Sequence, residues 1–161
     1  MKNIPEDWKS QARDKQKRYS VLLKKANTRK IISQLDTWHE EAFEKINCLD
    51  CAGCCKNHSP RFNQRDITRI AKHLRIKEGE LVSQYLYLDN ENDYVLKSSP
   101  CHFLNDDNTC KIYEVRPLDC QRYPYTNEDV LVKRVRITQA NSKVCPAVFL
   151  VLEKIENALG Q

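Results

Sequence analysis

Glycine occurs three times in this 161-residue chain, methionine once and phenylalanine four times. With so few glycines there is no Gly-rich loop to cradle the phosphates of a nucleotide. The cysteine spacings include no C-x3-C-x2-C run of the radical-SAM kind, and no Ser-His-Asp set can be argued. No run approaches the roughly 18 apolar residues that a membrane span requires. The first ten residues carry Lys2, Glu6, Asp7 and Lys9 and lack the apolar stretch of a secretory leader. A cytoplasmic, reducing setting is therefore expected, where disulfides rarely persist.

Hydrophobic residues make up 40% and charged residues 30%, which fits a soluble globular protein. The formal net charge of +5 is unevenly spread. Residues 1–30 hold ten lysines and arginines against three acids, a local +7, while the remainder holds 17 basic and 19 acidic residues, a net −2. The basic segment reads first as a solvated helix face, and second as a docking surface for nucleic acid or an acidic protein.

From Pro5 to Ile46 there is no glycine and no further proline, and apolar residues recur at Trp8, Ala12, Tyr19, Leu22, Leu23, Ala26, Ile31, Leu35, Trp38, Ala42 and Ile46. Spacings of three and four predict one long helix, or a helical hairpin with Asn27-Thr28 capping its second arm. Trp8, Ala12, Tyr19, Leu22 and Leu23 should dock that element on its own chain or on a partner. Asn63 looks like a helix N-cap before Ile67, Ile70, Ala71 and Leu74, and a second short helix is predicted over Glu78–Leu86. Tyr94–Leu96 and the β-branched run Val130–Thr138 are predicted strands. Pro146 suits the first turn of a final helix that ends before Gly160. The fold class expected is a mainly α, small, irregular, metal-stapled domain with a few short strands. Its predicted parts are a basic helical extension over residues 1–46 and a cysteine domain over residues 47–161. Large apolar residues look sparse between Cys48 and Cys145, and a segment of that kind needs staples.

The eight cysteines are those staples. Cys48, Cys51, Cys54 and Cys55 form a C-x2-C-x2-C-C run, and Cys101, Cys110, Cys120 and Cys145 follow. Two-residue gaps let thiolates turn toward one point while backbone N–H groups face the sulfurs, as in zinc ribbons and in ferredoxin-like clusters. Ala52-Gly53 inside the run is expected to let the backbone wrap closely. Adjacent side chains usually diverge, so Cys54 and Cys55 are expected to serve different sites. One site would take Cys48, Cys51 and Cys54 with one later cysteine, and the other would take Cys55 with the rest. Spacing leaves open which later cysteine completes which. An iron–sulfur cluster and zinc both suit the pattern, and the closely spaced triplet tilts the reading toward iron. Lys56, Arg61, Lys111, Arg116 and Arg122 lie near cysteines in sequence and can offset thiolate charge. His58 lies three residues after Cys55 and His102 adjoins Cys101, but neither is needed as a ligand, and His39 and His73 lie on predicted helices.

The segments Cys48-Leu49-Asp50-Cys51-Ala52-Gly53-Cys54-Cys55, Pro100-Cys101-His102-Phe103-Leu104 and Cys110 through Cys120 together resemble the YkgJ-type cysteine-cluster family. Its members are described as zinc- or iron-chelating CxxCxxCC domains. The stretch from Asp66-Ile67 to Leu74 resembles the family's short helix between the cysteine groups. The likeness covers roughly Asn47 to Pro146. In the family an arginine often follows the third late cysteine directly, whereas here Cys120-Gln121-Arg122 displaces it by one. The resemblance implies metal binding and assigns no reaction. A structural or electron-carrying module acting with a protein partner is the leading expectation. The alternative is a metal-dependent oxidoreductase or a component of lysine methylation, since a related cysteine-rich domain is associated with that modification. Nucleic-acid binding through the basic helix ranks third.

Overall fold

The computed structural model describes residues 4–160. Its elements in chain order are α1 (Trp8–Asp14), α2 (Gln16–Ala26), α3 (Arg29–Ile32), α4 (Leu35–Phe43), α5 (Gly53–Asn57), α6 (Gln64–Leu74), α7 (Glu78–Tyr85), β1 (Leu86–Leu88), β2 (Tyr94–Leu96), α8 (Leu118–Arg122), α9 (Val130–Lys133), α10 (Val135–Ser142) and α11 (Pro146–Leu159). Contacts divide the chain into two units, residues 1–50 with 124–161, and residues 51–123. The chain's own packing thus draws its boundary elsewhere than after residue 46, because the final helix gathers with the N-terminal ones.

The first unit is an all-helical assembly around α11. Pro146, Ala147, Val148, Phe149, Val151, Leu152 and Ile155 of that helix are buried. Tyr19, Leu22, Leu23 and Ala26 of α2, with Ile31, Leu35 and Ala42, close on it in one apolar cluster. Trp8 and Ala12 pack on Phe149. The five residues expected to dock the N-terminal segment are therefore all buried, and they dock on their own chain. The segment is broken into four helices where one or two were expected. Thr28 does cap α3, its hydroxyl accepting the N–H of Ile31 at 3.3 Å.

The predicted strand over Val130–Thr138 is helix instead, α9 followed by α10. Leu131, Val132 and Thr138 are buried and Val135 is half-buried, a spacing of one, four and seven that a helix places on one side. Burial against α2 overrides the β preference of branched side chains. The Thr138 hydroxyl donates to the Leu131 carbonyl at 2.7 Å, tying the two short helices together. Gln139 donates to the Gln16 carbonyl at 2.6 Å and the Ser20 hydroxyl at 3.0 Å, seaming α10 to α2.

The second unit holds its own core of Phe62, Ile67, Ile70, Ala71, Leu81, Leu86, Leu96, Phe103 and Ile112. The region thought sparse in apolar residues is thus better supplied than composition suggested. Asn63 caps α6 in a full capping box, its side chain accepting the Asp66 N–H at 2.9 Å while Asp66 accepts the Asn63 N–H at 3.2 Å. Helix α7 runs directly into β1, which pairs antiparallel with β2 in the register Leu86 to Leu96 and Leu88 to Tyr94. Of the two strand predictions, Tyr94–Leu96 is realised as a strand and Val130–Thr138 is not. The mainly helical fold with minimal sheet stands as expected.

Candidate metal centre

The cysteine run begins in a single 3-10 turn, Cys48–Asp50, braced by Asn47, which donates to the Asp50 carboxylate at 3.0 Å and accepts the Leu49 N–H at 3.2 Å. This turn and Cys48 belong to the first unit. Cys145, half-buried, stands at the N-cap of α11 in the same unit. Cys51, Cys54, Cys55, Cys101, Cys110 and Cys120 belong to the second. Among the described residues no disulfide joins any cysteines.

Within the second unit the run turns sharply at Ala52, whose φ of 45° is left-handed. The conformational latitude expected of Gly53 is used one residue earlier, on a side chain that is not glycine. Gly53 instead opens α5 and donates its N–H to the Cys51 sulfur at 3.3 Å. Cys54 and Cys55 follow on that helix with their sulfurs 3.9 Å apart. The expected divergence of the adjacent side chains is absent. Two thiolates on one tetrahedral ion with Zn–S bonds of about 2.3 Å would stand about 3.8 Å apart, so this spacing suits a shared ion as well as neighbouring sites.

The later cysteines arrive on two further segments. Cys101 follows a cis Ser99–Pro100 bond and donates its N–H to the Cys55 carbonyl at 2.8 Å, which fixes it beside α5. Its sulfur accepts the Phe103 N–H at 3.4 Å. The chain then reverses at Asn105–Asn108, where the Asn105 N–H meets the Thr109 carbonyl at 2.9 Å, and Cys110 pairs with Leu104 across the turn. Cys120 lies in the middle of the five-residue α8.

Electrostatics tie these segments into one group. The Cys54 thiol, hydrogen-bonded to Cys55, lowers the Cys55 pKa to about 7, with a smaller contribution from Lys56. Burial raises Cys101 to about 11, and the charges of Cys55 and Cys110 add to that rise. Cys110 is raised by burial and by Cys55, against the opposing pull of Arg116. Cys120 is pushed up furthest, by burial and then by Cys55, Cys101 and Cys110. Four thiols from three segments thus bear on one another's ionisation, each charge raising the others, and a cation held among them would relieve that repulsion. That donor set fits a soft divalent metal or an iron–sulfur cluster. Among the described residues no three His, Cys, Asp or Glu side chains are drawn together as a preformed shell.

The neighbouring cations divide in their roles. Lys56 donates to the Cys51 carbonyl at 3.0 Å, and the Arg116 guanidinium lies 3.9 Å over the Tyr113 ring. Arg61 donates to Asp119 at 3.1 Å, next to Cys120. Lys111 and Arg122 are exposed. Among the histidines, His58 stacks near Tyr123 at 5.2 Å and His102 meets Tyr85 edge-on at 5.4 Å. His39 bonds the Thr126 hydroxyl at 2.7 Å, and His73 is exposed near the end of α6.

Asp66 and Arg69 carry no metal-ligand signature and were not singled out by sequence. Asp66 is 1% exposed. One of its oxygens accepts Arg69 at 2.6 Å and the backbone N–H of Leu118 at 3.2 Å. Arg69 also donates to the Val115 carbonyl at 3.3 Å and the Arg116 carbonyl at 2.8 Å. The signal available was the N-cap pattern at Asn63, in which Asp66 stands three residues on.

Cysteine thiols brought from several segments in this way suit chelation of a metal. The chain belongs to the CxxCxxCC family, described as "Putative zinc- or iron-chelating domain", which matches residues 47–146. An uncharacterized protein of Methanocaldococcus jannaschii is 30% identical over 118 residues, 69% of this chain and 62% of that protein. The chain therefore spans less than two thirds of that relative's length. No solved structure matches. Among the described residues no helix is long and apolar enough to cross a membrane.

Proposed function

We propose that this protein binds zinc or iron through cysteine thiolates, and that Cys55, Cys101, Cys110 and Cys120 form one four-thiolate site. The observation that supports the reading is the backbone geometry that brings these segments together, the Cys101 N–H donating to the Cys55 carbonyl at 2.8 Å and Cys110 pairing with Leu104 across the turn, with burial and the charges of the other three raising Cys120. All eight cysteines are proposed as ligands, enough for two such sites. The module is structural or electron-carrying and works with a protein partner.

The role of this chain's own residues follows from their chemistry. Within the four, Cys55 is lowered to about 7 while Cys101, Cys110 and Cys120 are raised, so Cys55 begins coordination. Backbone N–H groups of Gly53 and Phe103 already point at cysteine sulfurs and stabilise thiolate charge. A bound metal would supply cross-links among three segments. In structural zinc peptides such binding is worth about 10–16 kcal/mol, as much as the whole stability of a typical domain.

The experiment is metal analysis and visible spectroscopy of anaerobically purified protein, with Cys55, Cys101, Cys110 and Cys120 changed singly to serine. A brown protein whose colour bleaches on reduction identifies an electron-carrying cluster. A colourless protein with about two zinc per chain identifies structural sites. Each serine change should lose metal. A reduced, folded protein that takes up neither metal in stoichiometric amount refutes the reading.

A further inference from the structure

We propose that Asp66 and Arg69 are positioning residues that aim Cys120 at the metal. This rests on the four-thiolate reading above, and its test separates the two.

Helix α8 has five residues and cannot hold its direction alone. Its first N–H groups have no partner inside the helix. The N–H of Leu118, first residue of α8, is taken by the Asp66 carboxylate at 3.2 Å. The carbonyls of Val115 and Arg116, just before it, are taken by Arg69 at 3.3 and 2.8 Å. Pro117 between them is buried. Three backbone groups in four residues are thus held by two side chains of α6, immediately ahead of Cys120. From the other side, Arg61 donates from both its backbone N–H, at 3.3 Å, and its side chain, at 3.1 Å, to Asp119.

One Asp66 oxygen serves α6 itself, accepting the Asn63 N–H in the capping box, while the other faces Arg69 and Leu118. Ile67, Ile70 and Ala71 also seat α6, and Arg69 takes no part in its cap. The Asp66 carboxylate is buried while the Arg69 side chain is 37% exposed, and an ion pair with one such exposed partner adds little net stability, which leaves the three backbone contacts as what the pair specifies. Arginine can span two carbonyls and a carboxylate because its donors lie in one rigid plane. Second-layer contacts of this sort typically alter metal affinity by roughly 10–100-fold.

The test uses the full-length protein and cobalt(II) as the probe, titrated anaerobically, because thiolate-to-cobalt absorption intensity counts the thiolates bound. Cys120→Ser provides the spectrum of the site without that ligand. Asp66→Asn and Arg69→Lys should each bind cobalt roughly 10–100-fold more weakly, with absorption lowered toward that of Cys120→Ser. Combining either with Cys120→Ser should add no further loss of intensity, as expected for residues acting through one ligand. Asn63→Ala, which breaks the α6 cap without touching Leu118, should lower the melting temperature and leave the spectrum unchanged. Arg69→Lys keeps the charge beside Asp66, so it reports even if Asp66→Asn folds poorly. Wild-type spectra and affinity in both variants, with only Asn63→Ala-like destabilisation, would overturn the positioning role and leave the metal site standing. Thiolate absorption undiminished in Cys120→Ser would overturn the site and the inference with it.

Discussion

Leu23→Ala should destabilise the first unit heavily, although residue 23 lies far in sequence from the cysteines. Leu23 is fully buried in the cluster that joins α2 to α11. Truncation removes three carbon groups, a transfer loss of about 2.5 kcal/mol at roughly 0.8 kcal/mol each. The cavity left in a packed interior raises the total to about 3–5 kcal/mol. For a domain stable by about 5–15 kcal/mol this is a large fraction. With a urea slope of about 1–2 kcal/mol per molar, the midpoint falls by about 1.5 M or more. The assay is built into the chain. Trp8 and Trp38, its two tryptophans, both belong to the first unit, so fluorescence reads that unit's unfolding while thiolate–metal absorption reads the other. Val21→Ala on the same helix is the control, since Val21 is 56% exposed and should change stability by no more than about 0.5 kcal/mol. If the two variants share one midpoint, α2 is not part of the core and the packing argument fails.

Cys54→Ser and Cys55→Ser should each remove a different part of the bound metal if the two residues serve separate sites, and the double change should remove nearly all of it. Equal partial losses with nothing further in the double change would place both sulfurs, 3.9 Å apart, on one ion. Tyr19 should make stability depend on alkaline pH. Burial first, then Glu153 and Glu156, raises its phenol above the ordinary value of 10. A group whose folded pKa is raised contributes fully below its unfolded pKa and loses that contribution as pH climbs past about 10. Its hydroxyl has no hydrogen-bond partner among the described residues, so Tyr19→Phe should be nearly neutral at pH 7. The urea midpoint of wild type should fall below that of Tyr19→Phe as pH rises from about 9 to 11, and a constant difference across that range would contradict the burial argument.

The helical periodicity between Trp8 and Ile46 was legible because apolar residues recur at intervals of three and four, and those residues turn out buried except Trp38, which is half-buried. Pro146 and Gly160 marked both ends of α11 for similarly local reasons. Val130–Thr138 misled because branched side chains favour strands on average, while the side α2 presents to them is a long-range fact that no window of sequence contains. The left-handed turn at Ala52 was hidden by the glycine beside it, which draws attention to itself on propensity alone. The cysteines announced their chemistry through spacing. Asp66 and Arg69 did not, because what they hold are backbone groups some fifty residues away, and backbone groups have no letter in a sequence.

The discontinuity of the first unit sets an order of assembly. Its two pieces, ending at Asp50 and resuming at Pro124, enclose the cysteine unit as an insertion. During synthesis the apolar side of α2 emerges early, but Val148 and Leu152, against which it closes, are made more than a hundred residues later. At about 5–20 residues per second that interval lasts from several seconds to tens of seconds. Tyr19, Leu22 and Leu23 spend it without their permanent cover, while the inserted segment, with Cys55, Cys101, Cys110 and Cys120, is already synthesised. Loading would draw the insertion's own segments together and so reduce the chain entropy that the last helix must overcome on closing. The length of that exposure is set by how far along the chain α11 lies from the helices it covers.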